Sequence, residues 1–145
     1  MKTLIKTYSL YLAWFIVLVG VLVSLYLSEI MHLPPCVLCW YQRVLFYPLL
    51  VILTVAIIKK EKFVNWYVLP FSITGLLIAL YHSLLQWGII PDDLAPCAAG
   101  ISCTTKQIEY LGFITIPFMS LVGFAVVTAF TLLHKKLNSP NEPRN

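Results

Sequence analysis

With 145 residues, 60% of them hydrophobic and only 11% charged, the chain is at most one domain and lies far outside the range of soluble globular proteins. The net charge of +4 does not point to nucleic acid; the positions of the charges matter more than their sum.

Three uncharged tracts, 7–28, 63–91 (apart from the titratable His82) and 110–133, each exceed the ~20 residues a helix needs to cross ~30 Å of hydrocarbon. The first is long for the apolar core of a secretory signal, and no small-x-small cleavage site follows it. Prolines precede Cys36 where a lipidated cysteine needs small residues, so the tract is taken as an uncleaved span over 7–28. Pro34 and Pro35 end that helix, and Pro35 is expected at the first position of the next. The fourth uncharged tract, Val44–Ile58, is too short alone. Span two therefore covers 36–58, with Arg43 about two turns inside it. A turn at 59–62 leads to span three over 63–87, where Pro70 is a candidate kink and Gly88 and Pro91 mark the end. An outer loop, 88–113, carries Cys97 and Cys103, with a short surface helix expected over 104–110. Span four covers 114–133, and 138–145 forms a polar, disordered tail. The predicted fold is an all-α integral membrane protein: one four-helix bundle, 1–137, with a short extracytoplasmic loop segment.

Lys2, Lys6, Lys59, Lys60, Lys62, Lys135, Lys136 and Arg144 are eight of the ten basic residues, and a four-span chain places them all on one side. By the positive-inside rule that side is the cytoplasm, with both termini in and both cysteine pairs outside. Disulfides persist there. Tyr8, Tyr11, Trp66 and Tyr67 fall at the inner interface, and Trp40, Tyr41, Trp87 and Tyr110 at the outer, as aromatic belts do. Trp40 and Tyr41 also adjoin cysteines.

Cys36-Val37-Leu38-Cys39 is a CxxC at the start of span two, where exposed N–H groups and the helix dipole favour a thiolate. Arg43 shares a face with Cys39, so its charge can stabilise that sulfur and its donors can reach a quinone carbonyl. The bland alternative is that it snorkels to headgroups. Cys97 and Cys103 could form a static staple or an exchanging pair. An all-cysteine zinc site is unusual at this spacing, and no metal is predicted. His82, with Gln86 one turn later, is either an internally bonded histidine or a proton donor in the membrane.

Pro35-Cys36-Val37-Leu38-Cys39-Trp40-Tyr41-Gln42-Arg43, His82-Ser83-Leu84-Leu85-Gln86 and Ile116-Pro117-Phe118-Met119-Ser120-Leu121 resemble the DsbB family of thiol:quinone oxidoreductases, most of all its short Gram-positive branch, disulfide formation protein C (BdbC). The resemblance covers all four spans. It implies a membrane quinone (menaquinone or ubiquinone) as acceptor, with Cys39 nearest to it and Arg43, His82 and Gln86 lining its site. It also implies an extracytoplasmic thioredoxin-fold thiol oxidase of the DsbA or BdbD kind as the partner met by Cys97 and Cys103. Electrons would then pass from Cys97/Cys103 to Cys36/Cys39 to quinone, with Cys36–Cys103 as the crossover bond. One departure is the outer pair, which has five intervening residues where the best-known members have a longer insertion. Two alternatives are a vitamin K epoxide reductase-like enzyme, in which the loop pair precedes the CxxC, and a non-catalytic, disulfide-stapled scaffold.

Overall fold

Four helices, α1 (Lys2–Leu25), α2 (Val37–Lys59), α3 (Val64–Gln86) and α4 (Ile116–Asn138), make up the bundle in the computed structural model, which describes residues 2–61, 63–91, 103, 109–110 and 114–138. A π-helical turn, Tyr26–Ile30, extends α1. Each helix is long and apolar enough to cross a membrane. Large apolar side chains such as Phe15, Leu22, Val51, Leu77 and Met119 cover the outside of all four. An apolar exterior is what a bundle needs when hydrocarbon is its solvent.

Local chemistry sets the helix ends. The rings of Pro34 and Pro35 delay α2, and Pro35 lies ahead of the helix rather than at its first position. Cys36 takes the N-cap instead, at φ −70° and ψ 170°, and its sulfur accepts the Cys39 backbone N–H at 3.4 Å. That bond satisfies one of the donors a helix start leaves unpaired. At the other end Lys60 adopts the left-handed conformation, φ 52°, and its N–H donates to the carbonyls of Ala56 and Ile57. Gly88, at φ +71°, follows the end of α3. Pro117 sits in the first turn of α4, where a missing N–H costs nothing. Span four begins two residues later than expected and continues to Asn138, through the last-turn lysines Lys135 and Lys136.

The helix expected over 104–110 is absent from its described end. Glu109–Tyr110 is a short strand paired antiparallel with Ile114–Thr115. The pairing gives both segments cross-strand hydrogen bonds that an isolated single helical turn would lack. Residues 104–108 and Cys97 lie outside the described residues, as does the tail beyond Asn138.

Inside, the bundle closes on Phe46. Its ring stacks on Phe124 with centroids 4.0 Å apart. Two glycines make room for it: a Cβ built on Gly123 would lie 3.3 Å from the Phe46 ring, and one on Gly20 would lie 3.4 Å away. Gly75 of α3 lies so close to Phe124 that a Cβ there would overlap the ring. Small residues of this kind let membrane helices approach closely. Polar side chains tie the helices towards the lysine-rich end. Trp14 donates to Thr54 at 2.8 Å, and buried His134 meets Asn65 at 3.0 Å near the lysine-rich end.

Gly75→Ala must displace Phe124 or part α3 from α4. A loss of about 1–3 kcal/mol is expected, the usual cost of overpacking a tight core. Gly20→Ala, which meets Phe46 at ordinary contact distance, should leave the thermal midpoint of the detergent-solubilised protein almost unchanged.

Candidate functional site: a cysteine pair between a histidine and an apolar cavity

Both residues of the CxxC lie at one end of the bundle, with neighbours from three helices. Cys36 is the N-cap of α2 and Cys39 is in its first turn, so their sulfurs meet at 3.1 Å. Both are free thiols, whereas Cys103 is disulfide-bonded. Cys36 and Cys103 are buried together with Leu38 and Leu85.

Cys36 faces α3. Its sulfur is 3.7 Å from His82 Nε2, and the same nitrogen is 3.2 Å from the backbone carbonyl oxygen of Cys103. Cys36 Sγ, a His82 ring nitrogen and Cys103 Sγ all lie within 4.8 Å of one another. His82 is fully buried, and its Nδ1 lies 3.2 Å from the side-chain nitrogen of Gln42. Gln86 also belongs to this side: its amide nitrogen donates to the Cys103 carbonyl at 3.5 Å, and its buried Oε1 has no partner among the described residues. The Cys36 thiol lies well below the ordinary value near 9, at about 4. The Cys39 thiol beside it is the largest cause, and His82 and the Cys39 backbone N–H lower it further against burial, which raises it. The sulfur this end of the helix favours as a thiolate is therefore Cys36.

Cys39 opens the other way. It lines an apolar cavity of about 320 Å³ between α1, α2 and α4, together with Gln42, Arg43, Phe46, Ser24 and Met119. Val19 and Val23 of α1 and Met119 and Val122 of α4 line this cavity and are also exposed on the bundle exterior, so it reaches the lipid-facing surface. Phe46 forms part of its wall, held by the glycine contacts that pack the core.

Arg43 reaches across to Ser24 of α1. Its Nε donates to the Ser24 hydroxyl at 2.6 Å, and a terminal nitrogen donates to the Ser24 carbonyl. The guanidinium also lies 5.6 Å from the centroid of the Trp40 ring. Two of the five guanidinium donors are used by Ser24, which leaves three on a residue that lines the cavity. The π turn of α1 begins two residues after Ser24, where an arginine competes for a carbonyl of the helix ladder.

The residues expected together thus divide. Cys39 and Arg43 share the cavity; His82 and Gln86 do not line it and instead meet Cys36 and Cys103. Two participants escaped the sequence reading. Gln42 carried a signal, a buried amide one turn after Cys39 in an apolar helix. Ser24 carried none, because serine is common in membrane helices and only packing reveals its partner.

Comparison with known proteins agrees along most of the chain. The model of the family described as "Disulfide bond formation protein DsbB" matches residues 6–134. Disulfide bond formation protein C of Bacillus subtilis is 43% identical over 126 residues, covering 87% of this chain and 91% of that protein. The SPbeta prophage-derived disulfide bond formation protein B of the same organism is 44% identical over 124 residues, or 85% of this chain and 82% of its own. A probable disulfide formation protein C of Halalkalibacterium halodurans is 40% identical over 121 residues, 83% of this chain and 88% of the relative. No solved structure matches.

Because its pKa is lowered, Cys36 should remain a thiolate throughout the neutral range and protonate only as pH falls towards about 4. With Cys36 and Cys39 reduced, ultraviolet thiolate absorbance should therefore persist at neutral pH and disappear in Cys36→Ser. In Cys39→Ala the midpoint should rise, because the largest cause of the lowering is gone.

Proposed function

The chain belongs to the DsbB family of disulfide bond formation proteins, and on that premise we propose that it is a membrane protein-dithiol:quinone oxidoreductase. In this reading it reoxidises an extracytoplasmic thioredoxin-fold thiol oxidase, of the DsbA or BdbD kind, and so sustains disulfide formation in exported proteins. The observation that carries the reading is the split orientation of the CxxC. Cys36 faces Cys103 and His82, and Cys39 one turn on faces a lipid-accessible cavity with an arginine in its wall.

Each protein step is attack by a thiolate on a disulfide sulfur. A partner thiolate attacks Cys97, forming a mixed disulfide and releasing Cys103 as thiolate. Cys103 attacks Cys36 of an oxidised inner pair; the Cys36–Cys103 bond forms and Cys39 leaves as thiolate on the cavity side. The partner's second thiolate resolves the mixed disulfide and frees Cys97. Cys97 then attacks Cys103, which restores the outer disulfide and releases Cys36. The inner pair now holds two electrons while the outer pair is oxidised, a state that accords with free Cys36 and Cys39 beside a disulfide-bonded Cys103.

The cavity suits the head of a quinone. Its volume falls at the small end of ligand pockets, its walls are apolar, and its polar groups are gathered at Cys39, Gln42 and Arg43. A bound quinone, menaquinone or ubiquinone, supplies the two-electron, two-proton acceptor. Arg43, pinned by Ser24, keeps its remaining donors where negative charge on an acceptor oxygen would be stabilised. Cys36 lies 3.1 Å from Cys39, so their disulfide re-forms with little movement as the electrons leave. The basic residues at the far end of the bundle support an orientation with both termini in the cytoplasm and the cysteines outside.

Purified protein should oxidise a reduced thioredoxin-fold oxidase in air only when quinone is added. No turnover at all would leave the cysteines as structural staples, and turnover that does not depend on quinone would rule out quinone as the acceptor. Within that assay, Arg43→Ala should raise the apparent quinone KM ~10- to 100-fold, the weight of a hydrogen bond to a charged group. Arg43→Lys keeps the charge without the planar fork and should fall between Arg43→Ala and the native protein. Disulfide exchange with the partner should survive in both.

A further inference from the structure

Gln42 joins the two halves of the site. It lines the cavity, is 4% exposed, and meets His82 Nδ1 at 3.2 Å. The opposite ring nitrogen, Nε2, faces the Cys103 carbonyl oxygen at 3.2 Å and Cys36 Sγ at 3.7 Å. A carbonyl oxygen only accepts, so Nε2 must carry a proton. In a neutral ring Nδ1 then bears the lone pair, and the Gln42 amide nitrogen, which only donates, is its complement. Turning the amide over would set its oxygen against that lone pair. Among the two neutral tautomers, these contacts fit one.

We propose that Gln42 is a positioning residue that holds His82 as the Nε2–H tautomer, aimed at Cys36, so that the ring N–H stabilises the Cys36 sulfur when it is expelled as a thiolate. The step concerned is the last exchange of the relay proposed above, on which this use of the tautomer rests. Cys97 attacks Cys103, the Cys97–Cys103 bond forms, the Cys36–Cys103 bond breaks, and the electron pair goes to Cys36. No net oxidation occurs, and His82 keeps its proton while donating a hydrogen bond. A better-stabilised leaving thiolate leaves faster. His82 thereby serves exchange between the cysteine pairs, and Gln42 couples the wall of the cavity to it. Among the described residues, the titratable groups facing Cys36 are Cys39 on its own helix, His82 on α3 and Cys103, which is disulfide-bonded.

The tautomer can be read without turnover. Full-length protein labelled with ¹⁵N-histidine and reconstituted in lipid nanodiscs contains three histidines, and the His82 signals can be assigned as those lost in His82→Asn. The expected native result is a protonated Nε2 and a bare Nδ1. Gln42→Met, close in volume but without the donor, should give mixed tautomers, and Gln42→Glu, whose carboxylate accepts from Nδ1–H, should reverse the preference. In Gln42→Met the thiolate absorbance of Cys36 should titrate about one pH unit higher, and release of Cys36 from Cys103 should slow about tenfold, the weight of one hydrogen bond. A native Nδ1–H tautomer, or an Nε2–H tautomer unchanged in Gln42→Met, overturns the proposal. Lack of quinone-dependent turnover in the native protein would instead count against the relay, since the nitrogen signals do not depend on it.

Discussion

A polar side chain placed between apolar helices must find its partner inside the protein, because hydrocarbon offers none. That constraint organises this bundle. Trp14 is paired with Thr54, Arg43 with Ser24, Gln42 with His82, and His134 with Asn65. Each pair joins two different helices, so satisfying a buried donor also fixes how those helices sit against one another. Two of these ties stand at the cysteine end, where they orient reactive groups; the His134–Asn65 tie closes the lysine-rich end.

The cysteine end gains its direction from helix geometry. A CxxC on the first turn brings both sulfurs within 3.1 Å, yet the two present themselves to different neighbours. Cys36, in the cap, is reached by α3 and by Cys103; Cys39 belongs to the side facing α1 and α4. A single turn of helix therefore separates a sulfur facing α3 and Cys103 from one facing the cavity. Gln42, one turn beyond Cys39, touches both environments, and Arg43 beside it belongs to the cavity alone.

Packing at the centre preserves the cavity. Phe46 enters between helices because Gly20 and Gly123 lack side chains, and Phe124 stacks on it because Gly75 gives way. The aromatic pair fills the bundle below the site and supports its wall. Above it, among the described residues, the space between α1 and α4 is left as the cavity, which is lined by the exterior-exposed Val19, Val23, Met119 and Val122.

Much was legible without coordinates, for a definite reason. Hydrocarbon thickness imposes a length on every span, so four uncharged tracts and their flanking lysines suffice to define the helices to within a few residues. The same length requirement put Arg43 inside α2, and the CxxC motif announced its own chemistry. What followed from local rules alone was less secure. Pro35 fits a first helical position, yet the sulfur of Cys36 caps the helix; Glu109–Tyr110 fits a surface helix, yet pairs with Ile114–Thr115. Which groups face one another was decided only by tertiary structure. The family resemblance implies that His82 and Gln86 line a quinone site; in the bundle the rotation of α3 turns them to Cys36 and Cys103, and neither lines the cavity. Ser24 and Gln42 acquire roles only through partners 19 and 40 residues distant. Helix periodicity is a property of one segment, whereas the rotation of each helix about its axis depends on how all four pack.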